Sequence, residues 1–133
     1  MKLICDFYDC LSITQCSDQT KYSIMLNFEH SIYKDHFPGN PVTPGVCIIQ
    51  MVKELASKNL KRRLILKKIV KIRYFKSINP FRYPIISVSQ SITETDMGDY
   101  NVSATVFVDE LVFAQLNVSL QSLRKHLRSL ILF

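Results

Sequence analysis

One histidine, three prolines and two glycines fall within the ten residues His36-Phe37-Pro38-Gly39-Asn40-Pro41-Val42-Thr43-Pro44-Gly45. Proline fixes its own backbone angle and glycine permits turns that other residues resist, so the segment reads as a stiff loop with a few sharply turned points. It leads into Val46, Ile49, Val52, Leu55 and Ala56 at helical spacing, which predicts a helix from about Gly45 to Asn59. Gly45 then heads that helix. Its N–H belongs to the unpaired first turn, where the helix dipole presents about half a positive charge, and the missing side chain lets a ligand approach closely. Such a position suits a carbonyl oxygen that gains negative charge, an interaction worth around a hundred- to a thousandfold in rate. A histidine held by the same loop titrates near neutrality and could act as a general base, although read alone it is as readily a structural histidine.

The elements that must hold this loop are mostly strands. Cys10 to Cys16, a polar turn at Ser17 to Thr20, and Lys21 to Phe28 with Tyr22, Ile24, Leu26 and Phe28 on one side predict an N-terminal hairpin. Glu29 to Thr43 is dense in charge, proline and glycine and reads as loop. After the helix, four strands are expected: Ile65 to Lys76, Ile85 to Glu94, Tyr100 to Val108 and Leu111 to Gln121. Short turns at Asp96 to Asp99, containing Gly98, and at Asp109-Glu110 make the last three antiparallel neighbours. The fold class is therefore α+β, one long helix against an antiparallel sheet. If the sheet wraps that helix, it must be apolar nearly all round, as Val46, Cys47, Ile48, Ile49, Met51 and Val52 allow. Leu123 to Phe133 mixes Arg124, Lys125, His126 and Arg128 with apolar residues, and reads as a short amphipathic helix, a partner-docking end or a frayed tail.

With 133 residues, 47% of them hydrophobic, the chain suits one packed core, and a single domain over 1–133 with a short tail from about 123 is expected. No apolar run is long enough for a membrane span, and Asp6 and Asp9 interrupt any apolar leader, so a soluble, unexported, cytoplasmic protein is expected. Cys5, Cys10, Cys16 and Cys47 show neither C-x-x-C nor a matching histidine pair, so free thiols and no metal or other cofactor are expected. Of the net charge of +6, much sits in eight cations between Lys61 and Lys76. They alternate partly with Leu64, Leu66, Ile69, Ile72 and Tyr74, as on one edge of a half-buried strand, and no nucleic-acid motif accompanies them. Neither nucleic acid nor membrane is an expected partner.

The run from His36 to Val46 closely resembles the H-F-x-G-x-P-V-x-P-G-V signature of 3-hydroxyacyl-acyl-carrier-protein dehydratases, with His36, Phe37, Gly39, Pro41, Val42, Pro44, Gly45 and Val46 matching. A weaker likeness runs from Ile72 to Tyr83, where the family's Pro-Gly-Asp turn is replaced by Pro80-Phe81-Arg82. The resemblance implies a hot-dog fold, a long central helix wrapped by a strongly curved antiparallel sheet. It implies His36 as the base that removes the α-proton of a 3-hydroxyacyl thioester, the Gly45 N–H as donor to the thioester carbonyl, with Val46 beside it, and the Val42 carbonyl as the group that orients His36. Phe37 and Gly39 would support the loop. It further implies an acyl tunnel at a two-fold interface, hence a homodimer or a trimer of dimers.

The acid of that family lies fourteen residues after the histidine, on the helix of the other subunit; here the position is Gln50. An amide can hydrogen-bond a hydroxyl or a water but cannot release a proton at physiological pH. Glu54 stands one turn further, about 5.4 Å along the helix, a large displacement for proton transfer. The reading is a dehydratase-like protein acting on thioesters of acyl carrier protein or CoA, as in fatty acid biosynthesis, with His36 and Gln50 as the catalytic pair and slow turnover. The alternatives are a non-catalytic acyl-thioester or carrier-protein-binding subunit, paired in a heterodimer with a Glu-bearing homologue, and a hot-dog thioesterase in which Gln50 positions water.

Overall fold

The computed structural model describes residues 7–35, 39 and 41–131, the side chain of Asp35 excepted. His36, Phe37, Asn40 and Cys5 lie outside the described residues. Strand β1 (Tyr8–Cys16) turns through Ser17, at φ 57°, into β2 (Gln19–Leu26). The short helix α1 (Ser31–Asp35) and the long helix α2 (Gly45–Leu60) follow. Strands β3 (Leu64–Tyr74), β4 (Ile85–Glu94), β5 (Tyr100–Val108) and β6 (Leu111–Ser122), then helix α3 (Leu123–Ile131), complete the chain.

All six strands join one antiparallel sheet in the order β1-β2-β4-β5-β6-β3. Period-two alternation sets which side of each central strand is buried. Tyr22, Ile24 and Leu26 in β2, Ile86 and Val88 in β4, Val102, Ala104 and Val106 in β5, and Ala114, Leu116, Val118 and Leu120 in β6 are buried. The register continues these rows from strand to strand, with Ile24 opposite Ile86, Val88 opposite Val106 and Ala104 opposite Leu116. Helix α2 adds Cys47, Ile48, Met51, Val52, Leu55 and Ala56 to the same core. Two polar ties fix it to the sheet: Gln90 Nε2 donates to the Val52 carbonyl at 2.8 Å, and the Tyr22 hydroxyl to the Leu55 carbonyl at 3.4 Å. The curved sheet around one long helix is the α+β hot-dog fold.

Three expectations need correction. Residues 31–35 form a helix inside the segment read as loop: His30 Nδ1 accepts the Ile32 N–H at 3.1 Å as a cap, and the buried Tyr33 stacks on Phe7 at 5.6 Å between ring centroids. A side-chain cap and one aromatic stack suffice for a single turn without helical periodicity. The central helix is not covered all round, for Val46 is 66% exposed and Ile49 only half-buried, because a single sheet reaches one side of it. Strand β3, expected to be half-buried, is an edge strand of the sheet and largely exposed from Leu66 onward; two register shifts break its alternation, and Leu66, Ile69, Val70 and Tyr74 are exposed.

The tail is helical. The Leu123 N–H donates to the Arg63 carbonyl at 2.8 Å, and Lys125 joins Lys67 on the buried Asp99, so the helix is tied to the turn between α2 and β3 and to the β4–β5 turn. These two ammonium groups hold the Asp99 carboxyl below its usual range by hydrogen bonding. No helix among the described residues is long and apolar enough to cross a membrane.

Candidate active site

Pro44 and Gly45 start α2 where the sequence places the start. Pro44 is extended at φ −63° and ψ 145°, and its carbonyl takes the first helical N–H groups, those of Cys47 at 3.0 Å and Ile48 at 3.3 Å. Two bonds hold the loop in front of it. The Thr43 N–H donates to the Ile78 carbonyl at 2.9 Å, joining the loop to the bend after β3, and the buried Thr43 hydroxyl bonds the Tyr33 phenol at 3.0 Å. Burial pushes the Tyr33 phenol up to about 12, so it stays neutral at any working pH. Gly39 has φ 85°, in the left-handed region that glycine tolerates and larger residues resist.

The start of α2 opens on a cleft of about 400 Å3 lined by Val42 to Gly45, Ile48 and the stretch from Tyr74 to Ile78. Its far wall is the Tyr74 phenol. A β-carbon on residue 45 would collide with the Tyr74 hydroxyl and stand 3.0 Å from the ring carbon that bears it, so a larger residue there would have to displace the Tyr74 phenol. The Tyr74 hydroxyl has no hydrogen-bond partner among the described residues, and desolvation raises its pKa and keeps it a donor. Beyond Tyr74, the Asn79 side chain caps the bend by accepting the Phe81 N–H at 2.9 Å, while its carbonyl takes the N–H groups of Arg82 and Tyr83. The substituted Pro80-Phe81-Arg82 turn thus closes without the family's glycine.

Gln50 lies elsewhere. Five residues separate it from Gly45, which puts the two roughly 140° apart around the helix. Gln50 points to the flank beside β1, where its Nε2 donates to Glu54 Oε2 at 2.9 Å and the Tyr8 hydroxyl donates to Glu54 Oε1 at 3.1 Å. Within one chain, then, Val42 and Gly45 share a cleft with Tyr74, Val46 stands exposed beside it, and Gln50 is absent from that lining. Tyr74 and Tyr8 were not among the residues expected at a site. Tyr74 is legible in the sequence only as an alternating strand residue, and nothing in its spacing announces that it meets Gly45. Among the described residues, no group of three or more metal-ligating side chains comes together, and Cys10, Cys16 and Cys47 are free.

The model of the ApeI-like family, described as ApeI dehydratase, matches residues 12–109, which run from β1 through the motif loop and α2 to the end of β5. The chain belongs to the ApeI-like dehydratase family. It is also similar to the 3-hydroxyacyl-[acyl-carrier-protein] dehydratase FabZ of Acidiphilium cryptum, 33% identical over 63 residues that make up 46% of this chain; the match spans 38% of that relative's length. Among solved structures, the dehydratase heterocomplex ApeI:P from Xenorhabdus doucetiae matches with a TM-score of 0.67 at 17% identity, covering 85% of this chain and 96% of that one. The putative thioesterase yhdA of Lactococcus lactis matches with a TM-score of 0.61 at 8% identity over 88% and 92% of the two chains. These likenesses establish the shared hot-dog fold of an ApeI-like member.

Proposed function

We propose that this protein binds 3-hydroxyacyl thioesters, of acyl carrier protein or CoA, and acts on them as a slow dehydratase with a site composed from two protomers. The observation that carries this reading is the cleft at the start of α2, where the Gly45 backbone and the Tyr74 hydroxyl border one space in front of a helix dipole. A thioester carbonyl seated there would meet the first-turn N–H of Gly45, with Tyr74 as a second donor. His36 would be the general base that takes the α-proton, and Val42 the residue whose carbonyl orients it. Gln50 would come from the partner, because its own flank faces away from this cleft.

Two features support assembly. Strand β3 is a sheet edge with exposed Leu66, Ile69 and Val70, a surface suited to pairing with another strand, and Val46 is uncovered at the head of α2. A homodimer or a trimer of dimers fits both. A heterodimer is the second reading, favoured by Gln50: two copies of this chain would place an amide at both acid positions, and a Glu-bearing partner would supply one. The ApeI:P structure is itself a heterocomplex.

The test follows enoyl-thioester absorbance after adding 3-hydroxyacyl pantetheine thioesters to the wild type, Gln50→Glu and His36→Ala. Slow turnover in the wild type, faster in Gln50→Glu and lost in His36→Ala, is expected. Absence of thioester binding, or a folded Gln50→Glu protein that gains nothing, would overturn the catalytic reading. Release of free thiol that depends on His36 would replace it with hydrolysis. Recovery of a Glu-bearing homologue in complex from the native host would favour the heterodimer.

A further inference from the structure

Helix α3 is fastened to the body along one side. Its first N–H donates to the Arg63 carbonyl, and Lys125 bonds Asp99 at 2.9 Å. At about 100° per residue, Leu127, Leu130 and Ile131 lie roughly 120–160° around the helix from Lys125, so they point away from that tether. Their exposure grows along the helix, from 49% at Leu127 through 60% at Leu130 to 79% at Ile131, and no residue of α3 is buried. Cations wall this aliphatic stripe. Arg124 and Arg128 run beside it on the helix, and Arg62 and Arg63, from the turn between α2 and β3, border a cleft of about 580 Å3 together with Leu123, Arg124 and Leu127. All four arginines are exposed. Residues 123–131 include no acid, and Asp99 is already paired with Lys67 and Lys125.

Charge decides what can cover such a face. A second copy on a two-fold axis would set the four arginines against four more. A protein partner needs features that fix its register, and this stripe holds neither an aromatic anchor nor a hydrogen-bond acceptor. A bilayer needs no register. An anionic phospholipid surface offers phosphates to the guanidinium groups and, beneath them, hydrocarbon to the stripe. We infer that α3 and the arginines beside it dock this protein peripherally on an anionic phospholipid membrane, against the expectation drawn from the sequence. Leu127, Leu130 and Ile131 enter the acyl boundary, while Arg62, Arg63, Arg124 and Arg128 meet phosphates. The Gly45 cleft lies at the other end of the 16-residue α2, about 24 Å from these arginines, so this surface is separate from the proposed thioester site.

Flotation of the intact protein with vesicles tests this. In about 0.1 M salt, it should rise with vesicles of phosphatidylglycerol and phosphatidylcholine and stay behind with phosphatidylcholine alone. Each arginine near the surface contributes about fivefold, so Arg62→Gln with Arg63→Gln should weaken binding about twenty- to thirtyfold. Lys21→Gln with Lys71→Gln removes the same charge from the sheet and should change it about threefold or less. Leu130→Glu should abolish flotation. The chain has no tryptophan, so Leu130→Trp supplies a single emitter, whose emission should shift to the blue with the mixed vesicles only. Melting curves check that each variant is folded. No flotation with the mixed vesicles overturns the inference and leaves an acidic protein to cover the face. Equal losses in the two double variants overturn it in favour of net charge, as does a Leu130→Glu protein that floats like the wild type. If Leu130→Glu lowers the mass found by sedimentation, a second copy covers the stripe and the inference fails.

Discussion

The two flanks of helix α2 are built by different physics. The Gly45 flank is backbone: a proline-directed start, first-turn N–H groups, a loop fastened by Thr43 to Tyr33 and Ile78, and one phenol resting where a side chain on residue 45 would be. The Gln50 flank is side chain: an amide, a carboxylate and a phenol in a row, each hydrogen-bonded to the next. A backbone site depends on the chain path and survives most substitutions nearby. A side-chain row depends on the identity of each member, and a change from acid to amide changes the chemistry without disturbing the fold. That difference lets a chain keep a family's loop while the position expected to carry its acid changes.

The largest effect should come from Gly45→Ala. Its methyl must displace the Tyr74 ring into the cleft, and thioester affinity or turnover should fall about a hundredfold, the scale of a lost oxyanion donor. Adding Tyr74→Ala to that variant clears the displaced ring and should restore part of the binding in a calorimetric titration, short of wild type because the second donor is gone; no recovery would break the account of this flank. On the other flank, Gln50→Glu should raise dehydration about a hundredfold. It also sets two carboxylates at hydrogen-bond distance, where sharing one proton raises the pKa of the pair. The variant's rate should therefore fall as pH rises through that raised pKa, a limb absent from wild type.

Tyr33→Phe sharpens the backbone half of the comparison. It leaves the buried Thr43 hydroxyl without its partner and should cost about 1–3 kcal/mol in urea unfolding. Because the phenol is neutral in both folded and unfolded chains below its ordinary value of 10.0, this loss should be independent of pH well below 10.0 and should shrink as pH rises from there through the folded value of about 12. Asp99→Asn, far from both flanks, should have the smallest effect, lowering Tm by roughly 4 °C or less with thioester binding unchanged. The Asp99 pKa is depressed in the fold, so its contribution is complete above the ordinary value of 3.8 and is lost as pH falls through the depressed one. The wild type should thus lose its advantage over Asp99→Asn in acid, measured by thermal melts across pH.

Much of this was legible beforehand where one residue's neighbours along the chain decide its conformation. The hairpin, the start of α2 at Gly45, and strands β4, β5 and β6 follow from alternation, proline, glycine and two short turns, and the structure places them within a residue or two of expectation. Helix α1 was not legible, since it depends on the ring of Phe7, just before β1, stacked on Tyr33. Nor was the exposure of Val46 and β3, which follows from how far one sheet can reach around a helix.

The site divides along the same line. Local sequence determined that a proline- and glycine-rich segment leads into a glycine-headed helix, that this segment resembles that of dehydratases, and that the position expected to carry the acid holds an amide, because each is a matter of residue identity and spacing along the chain. Only the tertiary structure brought Tyr74 against Gly45, turned Gln50 to the opposite flank, and joined it through Glu54 to Tyr8. Those contacts link residues 29 and 46 positions apart, and their geometry depends on strand order and helix rotation, which no local pattern encodes.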